Sequence, residues 1–522
     1  MKKITLNEIT LLITCIFFIF SSCQDKSKDT TDPIISFTNL DDNQQIRGDF
    51  TLEFNATDDR EVHKIDFLID DVMIETISGN DPYQFEINTG DYEDGQHAIK
   101  AIVSDSEGNS AFANVSFNIR NLMLTVQAEN YFEENSTGYI IIYDMDGEAV
   151  EYHELNNNST KDFIYPNNYD GWDFNATIFV ASHYGNNKFF YAITVQRCKS
   201  SNWILPSYNE TEGYNQNLTF SNIPAHDLAI VSNGFKSQVF SPLFNYPLFT
   251  KWNPANIFIG LISGQTASYK WIENAEAGNI NIDLTQTEEM SKNEVATQKN
   301  IFDNYIYGNL SVNDETRSYL LSYTEQQEYF YIPGFESYTT IIGFGSDSKE
   351  VYVIKKGDLL TTLEDPEFDV NITSADNSGF TLTHTGDFDY YMADWSYYDH
   401  SNEPYVVTFY TIGGPEDEPK VFPIPAPIMN TYPSLNLSML EPYYLSAVDL
   451  KDVEDYDQIS GSNNIDFYFE EPTKEGIYYF LSPNPDGGRF GLSDKEQNKN
   501  RDNSLIQRLK NKKLLPGRNP GE

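Results

Sequence analysis

Short apolar runs with alternating polarity constrain the fold of this chain more than any other feature of its sequence. Between positions 113 and 119, Ala113, Val115, Phe117 and Ile119 alternate with polar or small residues. A period of two is typical of a strand with one buried face. Comparable runs, separated by clusters of Gly, Asn and Asp, continue to position 481. The sequence therefore predicts an all-β protein built from several sandwich-like domains.

Charge and aromatic content exclude two classes of protein. The chain carries 79 acidic and 34 basic residues, which gives a formal net charge of −45 at pH 7. Nucleic-acid binding requires a basic surface, so we expect no nucleic-acid partner. The 35 Tyr and 35 Phe residues exclude wholesale disorder, because disordered chains combine high charge with few aromatic residues.

The first 22 residues are predicted to be a signal peptide. After two lysines, positions 9–20 are largely apolar, and Ser21, Ser22 and Cys23 follow. This order is typical of a secretory signal, and the apolar run is shorter than the roughly 20 residues that span a bilayer. The junction resembles a bacterial lipoprotein signal, which implies cleavage after residue 22 and lipidation of Cys23. An ordinary signal with an incidental cysteine is the alternative.

The segment after the signal is predicted to be a tether. Residues 23–32 are mostly polar and charged and show no periodicity. Charged residues directly after the lipid-bearing cysteine resemble the surface-export signal of Bacteroidota lipoproteins. That resemblance implies a protein anchored in the outer-membrane lipid through Cys23 and exposed at the cell surface. With Cys15 removed and Cys23 acylated, only Cys198 remains, so no internal disulfide can form.

Residues 33–120 resemble a bacterial immunoglobulin-like (Ig-like) domain. The resemblance is carried by Ala56-Thr57-Asp58-Asp59, by Ile65-Asp66-Phe67-Leu68-Ile69-Asp70 and by the run from Gly95 to Asn109. It implies a β-sandwich of the kind that serves as a spacer or adhesive unit in surface proteins and secreted carbohydrate-active enzymes. It implies no chemistry by itself.

Three aspartates of this domain are candidate metal ligands. Asp58, Asp59 and Asp105 stand near predicted strand ends, where their carboxylates can bind calcium. The alternative is that they are turn residues, because Asp favours turns through bonds to its own backbone. Calcium is the only cofactor that the sequence suggests.

The remainder of the chain is not recognised and is divided by composition and strand spacing. We predict a β-sandwich domain over 121–285, a β domain over 286–370, a second β-sandwich over 371–483 and a basic tail over 484–522. Between Lys499 and Arg518 the tail holds seven basic residues and one acidic residue. Such a tail either folds back on the acidic body, stays solvated, or binds lipid phosphate or an acidic partner.

The most suggestive local cluster lies between positions 390 and 400. It contains the candidate ligand-binding residues Tyr390, Asp394, Trp395, Tyr397 and Tyr398. An exposed aromatic strip with nearby carboxylates can bind sugars, because the C–H faces of sugars pack on rings. The alternative is that the face of the strand bearing Trp395 belongs to the core.

The sequence favours a binding protein over an enzyme. It contains no HExxH, Gly-x-Ser-x-Gly, Walker or dinucleotide-binding motif, so no catalytic residue can be assigned. We interpret the chain as a lipid-anchored, surface-exposed binding or adhesion protein, with the Ig-like domain as spacer and the distal domains binding a glycan or a surface protein. The alternatives are a carbohydrate-active hydrolase and a structural subunit of an outer-membrane assembly.

Replacing Cys23 tests the lipid anchor. We expect Cys23→Ala to release the chain from the membrane fraction or to leave the precursor uncut, because several acyl chains anchor a protein firmly at about 0.8 kcal/mol per buried methylene. Membrane fractionation and metabolic lipid labelling measure both effects. Retention in the membrane with unchanged labelling would show that Cys23 carries no lipid.

Overall fold

The computed structural model describes residues 28–483, except 79–82, 133, 167–168, 170, 185–186, 206–212, 314, 347, 400–404 and 464–473. The predicted signal, Cys23 and the basic tail lie outside the described residues. Strands dominate the rest of the chain, so the predicted all-β fold is confirmed. The helices of the described part include Ala426–Thr431, Tyr456–Ser460 and the 3₁₀ turns Thr89–Asp91 and Leu437–Met439. No helix in this part has the length and hydropathy that a bilayer span requires.

The chain separates into two compact units. Unit 1 comprises residues 1–123 and 164–169, and unit 2 comprises 124–163 and 170–522. Unit 1 contains eight strands in the described residues: β1 (Ile34–Phe37), β2 (Gln44–Ile46), β3 (Asp49–Thr57), β4 (Val62–Ile69), β5 (Val72–Ile77), β6 (Tyr83–Asn88), β7 (Gly95–Asp105) and β8 (Ser110–Ile119).

Unit 1 is a sandwich of two sheets. One sheet has the order β1-β3-β6 and the other the order β2-β8-β7-β4-β5. Alternate residues point into the space between them, so Leu52 and Phe54 of β3 meet Phe67 of β4 and Phe85 of β6 in one buried cluster. The two-residue period seen in the sequence is thus the period of burial in this core.

The strands that follow in chain order are β9 (Leu122–Ala128), β10 (Ser136–Tyr143), β11 (Ala149–Leu155), β12 (Ser159–Ile164), β13 (Asn175–Tyr184), β14 (Asn187–Val195), β15 (Asn202–Leu205), β16 (Tyr214–Ser221), β17 (Leu228–Ser232), β18 (Ser237–Phe240), β19 (Tyr246–Thr250), β20 (Ala255–Ser263), β21 (Thr266–Ala275), β22 (Gly278–Asp283), β23 (Glu288–Glu289), β24 (Ser291–Glu294), β25 (Ile301–Val312), β26 (Glu315–Thr324), β27 (Glu328–Tyr331), β28 (Ser337–Ser346), β29 (Lys349–Gly357), β30 (Asp369–Ala375), β31 (Phe380–Thr385), β32 (Tyr390–Asp399), β33 (Tyr405–Gly413), β34 (Glu441–Leu450) and β35 (Gly476–Leu481).

A twelve-stranded sheet organises unit 2. Its order is β11-β10-β13-β14-β33-β32-β34-β35-β29-β28-β25-β26, which leaves β11 and β26 at its edges. A smaller sandwich, with sheets β19-β16-β22 and β18-β17-β20-β21-β23, has its own core around Leu218, Val231 and Ile259. Three further small sheets, β12-β9-β15, β24-β27 and β30-β31, complete the described part of the fold.

The predicted domain boundaries near 285 and 370 differ from this architecture. Strands from all three predicted domains (121–285, 286–370 and 371–483) join the twelve-stranded sheet, and one continuous core contains Tyr143, Ile306 and Trp395. The parallel pairing of β14 with β33 is the contact that sequence spacing could not reveal, because the two strands lie far apart in the chain.

Asp389 is a buried carboxylate at the start of β32. Its Oδ2 accepts a hydrogen bond from the backbone N–H of Leu450 at 2.6 Å. Burial raises the pKa of Asp389 to about 6, and repulsion from Asp449 and Asp455 adds to the shift, while the Leu450 N–H opposes it. Because this pKa lies above the unfolded value, the ionised carboxylate destabilises the fold above pH 6. The penalty disappears as the pH falls towards 4.

We therefore expect Asp389→Asn to stabilise unit 2 at pH 7.5 by about 1–3 kcal/mol, since each pKa unit corresponds to about 1.4 kcal/mol and the Asn oxygen still accepts from Leu450. The gain should vanish near pH 4.5. Denaturant unfolding of the full chain at several pH values measures it. Asp387→Asn, at an exposed position two residues earlier, is the control and should change little. A gain from Asp389→Asn that does not depend on pH would contradict the assignment.

Candidate functional site

Trp395 lies in the core and not on a sugar-binding platform. Its side chain is 0% exposed, its ring centroid lies 5.0 Å from that of Phe380, and its Nε1 donates a hydrogen bond to the Asp376 carbonyl at 3.0 Å. The core alternative that the sequence left open is the arrangement observed, and the platform hypothesis for Trp395 is wrong. The physical reason is that the β30–β31 pair covers this face of β32, with Phe380 of β31 packed against the Trp395 ring in the same core.

The other four predicted ligand-binding residues do not form one surface. Tyr390 and Asp394 are buried, with Asp394 3% exposed. Tyr397 is half-buried, and its ring centroid lies 5.8 Å from that of Tyr405. Only Tyr398 is well exposed, at 44%. The strand is covered on both faces over its first half, so alternation along β32 does not separate a buried face from a free one.

The predicted metal ligand Asp105 is engaged by its own turn. Its Oδ1 accepts from the backbone N–H groups of Glu107, Gly108 and Asn109 at 2.9, 2.6 and 2.8 Å. Its Oδ2 accepts from the Asn109 side-chain amide at 2.6 Å. These bonds give Asp105 a turn-forming role. One of its carboxylate oxygens also lies within 4.8 Å of oxygens of Asp29 and Glu107, so Asp105 stays a candidate metal ligand as well.

Asp58 and Asp59 come together with Asp29, which the sequence analysis did not select. One carboxylate oxygen from each of the three residues lies within 4.8 Å of the others. The Oδ2 of Asp29 and the Oδ1 of Asp58 are buried and accept no hydrogen bond. The Nε of Arg60 lies 3.4 Å from the Asp29 Oδ2, and the same guanidinium lies 3.7 Å from the Glu107 carboxylate. Its single positive charge leaves an excess of negative charge on the group, and clustered carboxylate oxygens are the ligands that Ca²⁺ prefers.

A third cluster, in unit 2, was missed in the sequence. It is built where the turn between β17 and β18 meets the edge strand β26. The Ser318 N–H donates to the Gly234 carbonyl at 3.0 Å, and the Leu320 N–H donates to the Ser232 Oγ at 3.1 Å. Gly234 has a φ of +81°, and a Cβ there would lie 2.8 Å from the Tyr319 ring. Glycine is therefore required for this close approach.

The ring cluster consists of a pair, Phe235 and Trp252, and a group of three, Trp271, Tyr319 and Phe335, and Gly234, which precedes Phe235 in the chain, lies against the Tyr319 ring. The centroids of Phe235 and Trp252 lie 5.8 Å apart at a steep angle, and those of Trp271 and Tyr319 lie 4.8 Å apart. Phe335 lies 6.0 Å from both Trp271 and Tyr319. Tyr319 is buried, whereas the other four rings are half-buried and so present part of their surface to solvent.

Charged side chains border the Trp252 end of the ring cluster. The Cζ of Arg317 lies 4.4 Å from the centroid of the Trp252 ring. The Glu315 carboxylate accepts from the indole N–H of Trp252 and from the Lys251 ammonium, the latter at 3.1 Å. These two hydrogen bonds lower the pKa of Glu315, so the group is ionised at neutral pH.

The signal for this cluster in the sequence was weak. Glu315, Arg317 and Tyr319 alternate along β26 and share one face, but Trp252 and Trp271 come from separate elements. Trp252 meets Arg317, and Trp271 meets Tyr319, only because the small sandwich packs on β26. The aromatic residues of the site are not grouped in the sequence, so no local pattern predicts it.

Comparison with known proteins identifies part of unit 1. The family model described as a bacterial Ig domain matches residues 33–101, so the predicted N-terminal bacterial Ig-like domain is confirmed. None of the curated proteins matches the chain.

Similar solved structures include three of interest. The fibronectin(III)-like modules of Clostridium thermocellum CbhA are 16% identical, with 16% of this chain and 94% of theirs covered and a TM-score of 0.15. The Bacteroides ovatus mixed-linkage glucan utilization locus protein SGBP-B, in complex with a mixed-linkage heptasaccharide, is 12% identical, with 58% and 92% covered and a TM-score of 0.17. A solved chain from a 1.5-MDa bacterial ice-binding adhesin is 10% identical, with 64% of this chain and 100% of the solved chain covered and a TM-score of 0.15. At these scores the function of this chain has to be argued from its own contacts.

The Asp29–Asp58–Asp59 group leads to a calcium prediction. We expect millimolar Ca²⁺ to raise the melting temperature of the chain, because a ligand that binds only the folded state stabilises it, by about 2.7 kcal/mol at 100 times its Kd. Asp58→Asn should reduce the calcium-dependent shift by at least half. An Asn oxygen can keep the bonds from the Arg60 and Glu61 N–H groups, so the variant should fold.

The matched control is Asp49→Asn, which removes the same charge from an exposed position on β3 of unit 1, outside the carboxylate groups, and should leave the calcium shift intact. Differential scanning calorimetry of each variant with and without Ca²⁺ gives the comparison. An equal shift with Mg²⁺ would indicate general charge neutralisation, and no shift with either ion would contradict a calcium site.

Proposed function

We propose that this chain is a lipid-anchored, surface-exposed binding protein whose unit 2 binds a glycan at the ring cluster. Unit 1 would serve as a spacer, as its Ig-like fold implies. The observation that carries the proposal is the pair of half-buried rings Phe235 and Trp252, bordered by hydrogen-bonding charged groups.

Sugars suit this surface for two reasons. The C–H faces of a pyranose pack on aromatic rings, and four rings of the cluster present part of their surface to solvent. The hydroxyl groups of a sugar need donors and acceptors close to the ring, and the Lys251 ammonium, the Arg317 guanidinium and the Glu315 carboxylate supply both types. A purely apolar partner would leave these charges desolvated and unpaired, which is costly.

The contacts of Glu315 favour glycan binding without hydrolysis. Glycoside hydrolysis usually requires two carboxyl groups, one of which keeps its proton through a raised pKa. At Trp252 the contacting carboxylate is Glu315, and its pKa is lowered. Glu315 is thus suited to accept hydrogen bonds from a sugar and not to donate a proton.

The anchor and the calcium group complete the proposal. Lipidation of Cys23 and the polar tether after it would hold the chain at the outer face of the outer membrane. Calcium bound by Asp29, Asp58 and Asp59 would stabilise unit 1 outside the cell. The support for the anchor is the sequence of the signal, and the support for calcium is the pair of buried carboxylate oxygens without donors.

Trp252→Ala tests the glycan site. We expect the affinity of the full chain for its polysaccharide to fall about tenfold, since a ring of this kind contributes on the order of 1.5 kcal/mol through stacking. The melting temperature should change little, because the ring is half-buried. A polysaccharide screen followed by isothermal titration calorimetry measures the affinity.

Trp395→Ala is the contrasting variant. The side chain of Trp395 is fully buried, so its removal should destabilise unit 2 by about 3–5 kcal/mol and weaken binding only through unfolding. If Trp252→Ala leaves affinity unchanged for every polysaccharide that the chain binds, the ring cluster is not the site. If the chain cleaves a glycan at enzymatic rates, the hydrolase alternative replaces this proposal.

A further inference from the structure

Three cations surround the Phe235–Trp252 pair in a chain that is strongly acidic overall. The Nζ of Lys236 lies 5.6 Å from the Phe235 centroid, and the Nζ of Lys251 lies 5.0 Å from that of Trp252 and 5.9 Å from that of Phe235. The Cζ of Arg317 is the third, 4.4 Å from the Trp252 centroid. With 34 basic residues against 79 acidic ones, such a concentration of positive charge is unexpected.

Arg317 retains capacity to bind an anion. It forms no ion pair within the part of the chain that the structure describes, and the neutral Tyr319 hydroxyl beside it leaves its positive charge in place. The Cζ of the guanidinium lies over the Trp252 ring. The N–H groups project in the plane of the guanidinium, where they can meet a carboxylate or sulfate in a bidentate fashion.

Contacts within the cluster do not neutralise its charge. Glu315 pairs with Lys251 and lies near Arg317, so one contacting carboxylate faces the two cations at the Trp252 ring. The neighbouring Tyr319 hydroxyl is buried; burial raises the pKa of Tyr319 and Arg317 opposes that shift. A neutral hydroxyl beside the guanidinium adds no negative charge. The local balance therefore favours a ligand that brings an anion.

We propose that the ring cluster binds an acidic polysaccharide, with a sugar ring packed on Trp252 and its carboxylate or sulfate group held by Arg317 and Lys251. This inference rests on the proposed function and names the ligand class of the same site. Lys236, whose ammonium lies 5.6 Å from the Phe235 centroid, would contact the anionic group of an adjacent sugar unit.

The large negative charge of the chain predicts an unusual dependence on salt. At about 10 mM salt the Debye length is roughly 30 Å, so distant carboxylates repel an acidic polymer. At about 150 mM it is roughly 8 Å, and the ligand senses mainly the three nearby cations. At about 1 M salt even these contacts are screened. Affinity should therefore be highest near physiological salt, whereas binding to a simple basic patch falls steadily as salt is added.

The experiment titrates the full chain with polygalacturonate, with dextran sulfate and with an uncharged β-glucan. We expect at least one acidic polymer to bind at least tenfold more tightly than the glucan. Arg317→Gln should weaken that binding tenfold or more, and Lys251→Gln three- to tenfold, with the strongest binding near 150 mM salt. Lys356→Gln removes the same charge from an exposed position in unit 2 and should change affinity less than twofold.

The outcomes separate the two proposals. Equal binding of neutral and acidic polymers, or acidic binding that both Arg317→Gln and Lys251→Gln leave intact, would overturn the acidic ligand while the glycan function stands. Failure of the folded chain to bind any polysaccharide would overturn the glycan function as well. Should Arg317→Gln lower the melting temperature, Lys251→Gln decides the question, since the Lys251 ammonium lies on a half-buried side chain whose ion pair is with an exposed partner.

Discussion

Backbone pairing between strands that are distant in the chain is the constraint on which unit 2 depends. A buried strand must satisfy its N–H and C=O groups, and β14 does so by pairing with β13 on one side and, in parallel, with β33 on the other. β35 similarly joins β34 to β29. At the end of β14 the Tyr456 hydroxyl donates to the carbonyls of Gln196 and Ile412, so a short helix secures the parallel pair. Loss of either junction would separate the sheet into parts that each expose a hydrogen-bonding edge.

The ring cluster forms where the small sandwich covers the edge strand of the twelve-stranded sheet. Its edge strand β26 is covered by the turn between β17 and β18, and two backbone donors of β26 find acceptors in that turn. Covering an edge protects it from pairing with other chains. The same contact brings Trp252 and Trp271 of the small sandwich beside Arg317 and Tyr319. The proposed glycan surface is therefore held by the sheet edge and the small sandwich, so its rings would need little ordering when a ligand binds.

The excess of acidic residues produces clusters of carboxylates in both units, whereas one site in unit 2 is rich in basic side chains. In unit 1, Asp29, Asp58 and Asp59 converge and need positive charge, which Arg60 provides in part. In unit 2, buried Asp389 lies near Asp449 and Asp455, and its pKa is raised. Around Phe235 and Trp252 the balance reverses, with Lys236, Lys251 and Arg317 against Glu315. The net charge of the chain thus describes its average surface and not its individual sites.

The sequence by itself determined the secondary structure class, because alternation with a period of two follows directly from strand geometry. The Ig-like unit followed from the resemblance of its motifs to bacterial Ig-like domains. The sequence also selected Asp58 and Asp59, which lie at a strand end and meet Asp29. Only the tertiary structure decided that Trp395 is covered and that Trp252 lies beside Arg317, whereas the turn bonds of Asp105 are local to residues 105–109. The positions of Trp395 and Trp252 depend on which strands become neighbours. Strand order is set by pairing and packing across long sequence separations, for which the sequence carries no local signal.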